Sequence, residues 1–129
     1  QAVLSYLIDI QCTFAQVITR IDMLRDKEFR DIYMDALNTI SSKVRESLQA
    51  LNIMVEQAKD QPQKALETLE TIAKLEREID EDNIIICRQI DVATEGDSNF
   101  TCFIMRKIVT ELEHISDFVK ECAEIIADF

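Results

Sequence analysis

Apolar positions recur along the chain at three- and four-residue intervals almost from end to end, with hydrophilic positions between them. That period puts the apolar set on one face of a helix, and four helical segments are predicted. The first spans about Ala2 to Leu24, with Val3, Leu7, Ile10, Phe14, Val17, Ile21 and Leu24 as its stripe. Arg25-Asp26-Lys27 breaks the pattern. The second spans about Glu28 to Lys59, with Tyr33, Leu37, Ile40, Val44, Leu48, Leu51 and Val55. It ends at Asp60-Gln61-Pro62, because the residue before a proline avoids the α region. Pro62 suits the first turn of a third helix, behind Asp60 as its cap, that runs to about Asp91. Ala93-Thr94-Glu95-Gly96-Asp97-Ser98 holds the only glycine and reads as the main loop. Asp97 or Ser98 can cap a fourth helix reaching the C-terminus, with Ile104, Ile108, Leu112, Ile115, Val119, Cys122, Ile126 and Phe129 as its stripe.

Long helices joined by short connections pack antiparallel to their neighbours. The fold class predicted is therefore all-α, an antiparallel up-down bundle of about four long helices in a single domain spanning residues 1–129. Composition agrees, since one Gly and one Pro leave little turn chemistry for a β architecture. Hydrophobic residues make up 47%, enough for a real core in a chain of 129 residues.

The formal net charge is −11, from 25 acidic and 14 basic residues. Such a surface repels phosphate backbones and anionic membrane faces, so nucleic acid is not expected as a partner. No uninterrupted run approaches the ~20 apolar residues of a membrane span. The densest is Ile84 to Cys87, and no signal-peptide pattern is present. Cys12, Cys87, Cys102 and Cys122 are scattered, with no Cys-x-x-Cys, which points to reduced thiols in a cytoplasmic protein rather than a zinc or redox motif. The chain starts at Gln1 and is helical in pattern at once. The expectation is the C-terminal part of a longer protein whose upstream portion partners the first helix.

One short pattern occurs twice: Glu76-Arg77-Glu78-Ile79-Asp80 and Glu113-His114-Ile115-Ser116-Asp117. In each, two carboxylates lie four residues apart, on one helical face and one turn from each other, where like charges repel. On the third helix Leu69, Ile72, Ala73, Glu76, Asp80, Asn83, Cys87 and Ile90 fall on one face, so Glu76 and Asp80 interrupt an apolar stripe. A buried carboxylate needs a partner, a proton or a cation, and a hard cation takes oxygen ligands. The plainer reading is a salt bridge to a neighbouring Lys or Arg. On the fourth helix Glu113 and Asp117 lie nearly opposite the apolar stripe, where a solvated face is the plainer reading.

Other chemistries find less support. Glu111 and His114 have the Glu-x-x-His spacing of ferritin-like di-iron bundles, but such a site needs a second copy and His114 is the only histidine. There is no Gly-rich phosphate loop, and any Ser or Cys nucleophile would have to share that one His. Leu7-Ile8-Asp9-Ile10-Gln11-Cys12 also aligns with Leu112-Glu113-His114-Ile115-Ser116-Asp117, as in an internal duplication with Ile8 and Cys12 in place of the acids.

Lys74-Leu75-Glu76-Arg77-Glu78-Ile79-Asp80-Glu81 and Ile108-Val109-Thr110-Glu111-Leu112-Glu113-His114-Ile115-Ser116-Asp117 together resemble the PhoU family, in particular PhoU-like regulators of phosphate transport. The resemblance runs from about Phe29 to the end. It implies a repeat of three helices, with the first helix as the end of a preceding repeat. It implies metal ligands at Glu76, Asp80, Glu113 and Asp117, with Glu81 able to add an oxygen, for iron or another divalent or trivalent cation and no organic cofactor. It further implies a non-enzymatic homo-oligomer that signals to a phosphate transporter or an associated signalling protein at the cytoplasmic membrane face. The cytosolic PhoU-type domain of a sodium–phosphate cotransporter and a metal-free helical scaffold or interaction module are the alternatives.

Overall fold

The computed structural model describes residues 2–24, 31–93 and 99–128. Four helices account for nearly all of them: α1 (Ala2–Met23), α2 (Asp31–Asp60), α3 (Pro62–Ala93) and α4 (Phe100–Ala127). No strand occurs among the described residues. The expected Arg25-Asp26-Lys27 break, the start of the second segment, most of the loop and Phe129 lie outside them.

Only Gln61 separates α2 from α3. Asp60 belongs to the last turn of α2 and does not cap α3, a correction to the sequence expectation. Pro62 does occupy the first position of α3, where its missing N–H costs nothing. The α4 cap is Asn99, whose side-chain oxygen accepts from the Cys102 amide at 2.8 Å. It lies one residue beyond the two candidates read from sequence.

The helices run antiparallel in succession. Lys43 reaches Asp82 while Gln57 meets Thr68, so α2 and α3 oppose each other. Asp91 pairs with Arg106 and Glu76 with Lys120, so α3 and α4 do too. α2, α3 and α4 all touch one another and form a three-helix unit. α1 packs against α4 alone among the helices, so α4 is the one element in contact with all the others.

That position of α4 explains its core. Ile104, Ile108, Leu112, Ile115, Val119, Cys122 and Ile126 are buried as expected, and Met105, Val109, Ser116 and Ala123 are buried beside them. On α2 the buried set is Tyr33, Ala36, Ile40, Val44, Ser47, Ala50, Leu51 and Met54. Leu37 and Leu48 are only half-buried and Val55 is exposed, so the stripe is rotated from its expected centre. Small residues at the helix contact, Ala36 and Ser47, carry no hydrophobic signal and were not part of the expected core. On α3 the core runs through Ile72, Leu75, Ile79, Ile86 and Ile90, rotated toward α2 from the expected stripe.

α1 buries only Ile10, Thr13 and Val17 within its length, followed by Leu24. Leu7 and Ile21, expected inside, are exposed. An 18-residue window of α1 has a mean hydropathy of 1.4 and is only 11% buried. By length and composition alone α1 is therefore apolar enough to cross a membrane, although the chain has no uninterrupted apolar run of that length. Ser, Thr and Gln dilute its apolar residues, so no unbroken run marks it in the sequence.

Candidate metal centre

The rotation of α3 decides where its carboxylates go. Ile72, Ile79, Ile86 and Ile90 point into the core, and Glu76 and Asp80 lie along the edge of that stripe that meets α4. Glu78 and Asp82 lie on the other edge, where Lys43 of α2 pairs with Asp82 at 2.6 Å and approaches Glu78 at 3.6 Å. The acidic run 76–82 is thus split between two neighbours. One neighbour supplies a lysine and the other supplies more carboxylates.

On α4 the edge facing α3 carries Glu113, Asp117 and Lys120. It lies opposite the main apolar stripe, as the sequence reading had it, but it is not a free solvated face, because α3 packs against it. One carboxylate oxygen each from Glu76, Asp80 and Asp117 lie within 4.8 Å of one another. Glu113 lies outside that group of three but beside it, close enough to Asp80 and Asp117 for both to raise its carboxyl. All four residues singled out in the two motifs therefore meet between α3 and α4. Glu81 does not, since it is exposed.

The four carboxylates crowd one another. Glu76 is 9% exposed and its carboxyl is raised to about 7, by burial first and then by hydrogen bonding with Asp80 and Asp117. Lys120, with its ammonium 3.9 Å from Glu76, acts in the opposite direction. Glu113 is raised to about 9, again by burial first and then by Asp80 and Asp117. Like charges in a half-dry setting retain protons unless a cation neutralises them. The donor set, all carboxylate oxygen, fits a hard cation and offers nothing to a soft one.

Lys120 escaped the sequence reading, although it follows Asp117 by three residues and so shares its edge of the helix. The Glu-x-x-His pair goes elsewhere. Glu111 is buried against α1, where Arg20 donates to it, and His114 is exposed. A groove of about 860 Å3 runs between α2 and α3, lined by Ile32, Asp35, Ile85 and Val92 among others. A second, of about 720 Å3, is bounded by Phe14, Leu48 and Leu112. None of the four motif carboxylates lines either. Ile8 and Cys12, the α1 counterparts of Glu113 and Asp117, are both exposed.

No family model, curated protein or solved structure matches the chain.

Proposed function

We propose that this chain is a PhoU-like regulatory module of phosphate transport or phosphate signalling. It binds iron or another divalent or trivalent cation through Glu76, Asp80, Glu113 and Asp117. It acts by protein–protein contact on a phosphate transporter or an associated signalling protein at the cytoplasmic membrane face. The observation that carries the reading is the meeting of the two Glu-x-x-x-Asp motifs on facing edges of α3 and α4, with oxygens of Glu76, Asp80 and Asp117 within 4.8 Å. These are the residues at which the resemblance implies ligands.

A bound cation supplies charge neutralisation. Lys120 offers one positive charge, at 3.9 Å, to four crowded carboxyl groups. A multivalent ion replaces their retained protons and ties α3 to α4 through a single centre. Occupancy then controls how firmly the two helices are held together, a signal that a protein partner docked across them reads. Reaction chemistry has no part in this role.

Two measurements test it. The purified protein is stripped with chelator, then titrated calorimetrically with Fe3+, Mn2+ and Mg2+. Saturable binding of at least one ion, lost in Asp80→Asn and in Glu113→Gln, is expected. Equal heats from parent and both variants would remove the metal centre. The tagged protein is also captured from its native cell grown in high and low phosphate. A phosphate transporter subunit or phosphate-responsive kinase enriched in one condition is expected, and its absence from both overturns the regulatory assignment.

A further inference from the structure

Two lysines meet the acidic run of α3, and they are held differently. On the α2 side Lys43 is in hydrogen-bond contact with Asp82 at 2.6 Å. On the α4 side the Lys120 ammonium stands 3.9 Å from a Glu76 oxygen. That is beyond the reach of an N–H···O hydrogen bond, about 3.2 Å, so charge alone holds it there. The Lys120 side chain is 38% exposed, against 11% for Glu76. The lysine therefore reaches in from solvent over the carboxylate. It lies one turn beyond Asp117, at the Glu76 end of the cluster, with Glu113 at the other end. Among the described residues no other lysine or arginine pairs with the four motif carboxylates. His114, 3.7 Å from Glu113, is exposed and carries a charge only when protonated.

We infer that Lys120 is a tethered counter-ion of the carboxylate centre, which holds the cation's place in the metal-free protein and swings out when a multivalent cation binds. The inference rests on the metal reading above and names how that site is regulated. One ammonium shared by four carboxyl groups leaves the cluster under-neutralised, so the lysine occupies the site without closing it. It cannot stay beside a bound ion, because an ion on Glu76 and an ammonium beside the same carboxylate repel each other. It leaves at little cost, since its head already touches water and its stem is flexible.

The tether decides which ions enter. Sodium or potassium brings the same single charge as the ammonium and must be captured from solution, whereas Lys120 is already in place. A divalent or trivalent ion brings more charge than it displaces. Lys120 thereby keeps out abundant monovalent ions and sets the concentration at which a multivalent ion fills the centre. Filling turns an ammonium outward along the seam of α3 and α4, and a partner docked there meets that change in charge.

Calorimetric titration of the chelator-stripped whole chain with Mn2+, Fe3+ and Mg2+ in turn tests the inference, with Lys120→Met and Lys120→Arg beside the parent. Methionine keeps the apolar stem and removes the charge, so helicity by circular dichroism is retained. For any ion that the parent binds, Lys120→Met is expected to bind about tenfold more tightly. Lys120→Arg keeps the charge and binds no more tightly than the parent. In thermal melts Lys120→Met falls below the parent in chelator yet gains more from the ion, whereas a lysine with only a structural role would leave that gain unchanged. Acetylation of Lys120 by an amine reagent, read by mass spectrometry, rises when the ion is added to the parent, and that of exposed Lys64 near the start of α3 does not. Binding by the parent with equal or weaker binding by Lys120→Met overturns the counter-ion and leaves the metal centre standing. So does equal tightening by Lys120→Arg, which would make the effect one of shape. Binding of none of the three ions by either the parent or Lys120→Met overturns both readings together.

Discussion

Arg20, near the end of α1, donates to one carboxylate oxygen of Glu111 in α4, and the other oxygen of Glu111 is buried without a partner. Glu111 is 7% exposed, so the arginine is what makes its charge tolerable there. Removing one member of a buried pair leaves the other uncompensated. Arg20→Ala is expected to destabilise the protein by about 3 kcal/mol in urea denaturation. The double variant Arg20→Met with Glu111→Met recovers most of that loss, because apolar replacements of similar volume fill the same space. An Arg20→Ala protein as stable as the parent would mean that Glu111 finds water or another donor.

Ile40 is fully buried and Leu112 is 5% exposed. Ile40→Ala and Leu112→Ala are each expected to cost roughly 2–5 kcal/mol by chemical denaturation, the range for large-to-small changes in a packed core. Val55 was expected inside but is 45% exposed. Val55→Ala should therefore change stability by less than about 0.5 kcal/mol. Equal effects at Val55 and Ile40 would contradict the observed phase of α2.

Removing one carboxylate from the centre separates charge repulsion from cation binding. In chelator, Asp80→Asn is expected to melt at the same temperature as the parent or slightly higher, since a like charge has left the cluster. With excess Mn2+ or Fe3+ the parent gains stability, because an ion bound only by the native state raises stability by mass action. The variant gains less. Thermal melts of both proteins in both conditions check this, and equal metal-dependent shifts would make these residues ordinary surface charges.

The centre also sets an unusual pH dependence. Folding raises the carboxyls of Glu76 to about 7 and of Glu113 to about 9, from ordinary values near 4.5. Between these limits the folded protein keeps protons that the unfolded chain has released, so metal-free stability falls as pH rises. Glu76 contributes to the fall up to about pH 7 and Glu113 up to about pH 9. Above that both states are ionised and the slope vanishes. Melting temperatures at pH 5.5, 7 and 9 in chelator should show the decline, and Glu113→Gln should flatten it. With metal the trend reverses, because a ligating carboxylate must be deprotonated. A metal-free profile that rises through this range would count against the crowded cluster.

The sequence by itself determined the helices, their number and their order. Local chemistry suffices for that: Pro62 opens α3 because its ring fixes φ and it lacks an N–H, and strong helix formers with a 3.6-residue apolar period leave no other regular structure open. The pairing of Glu76 with Asp80, and of Glu113 with Asp117, was legible for the same reason, since residues four apart on a helix are neighbours wherever the helix lies.

Which way each helix turns was decided only by tertiary packing. A stripe read from one helix gives the centre of its apolar face, but burial depends on how many neighbours surround it. α4 meets three helices, so its polar edge at Glu113 and Asp117 is covered by α3 although it lies opposite the apolar stripe. α1 meets only one, so Leu7 and Ile21 stay exposed although they continue an apolar pattern. The division of the acidic run, with Asp82 going to Lys43 and Asp80 to Asp117, follows from α3 lying between α2 and α4. Contacts between residues far apart in the chain depend on the relative rotation of whole helices, and no local period encodes that rotation.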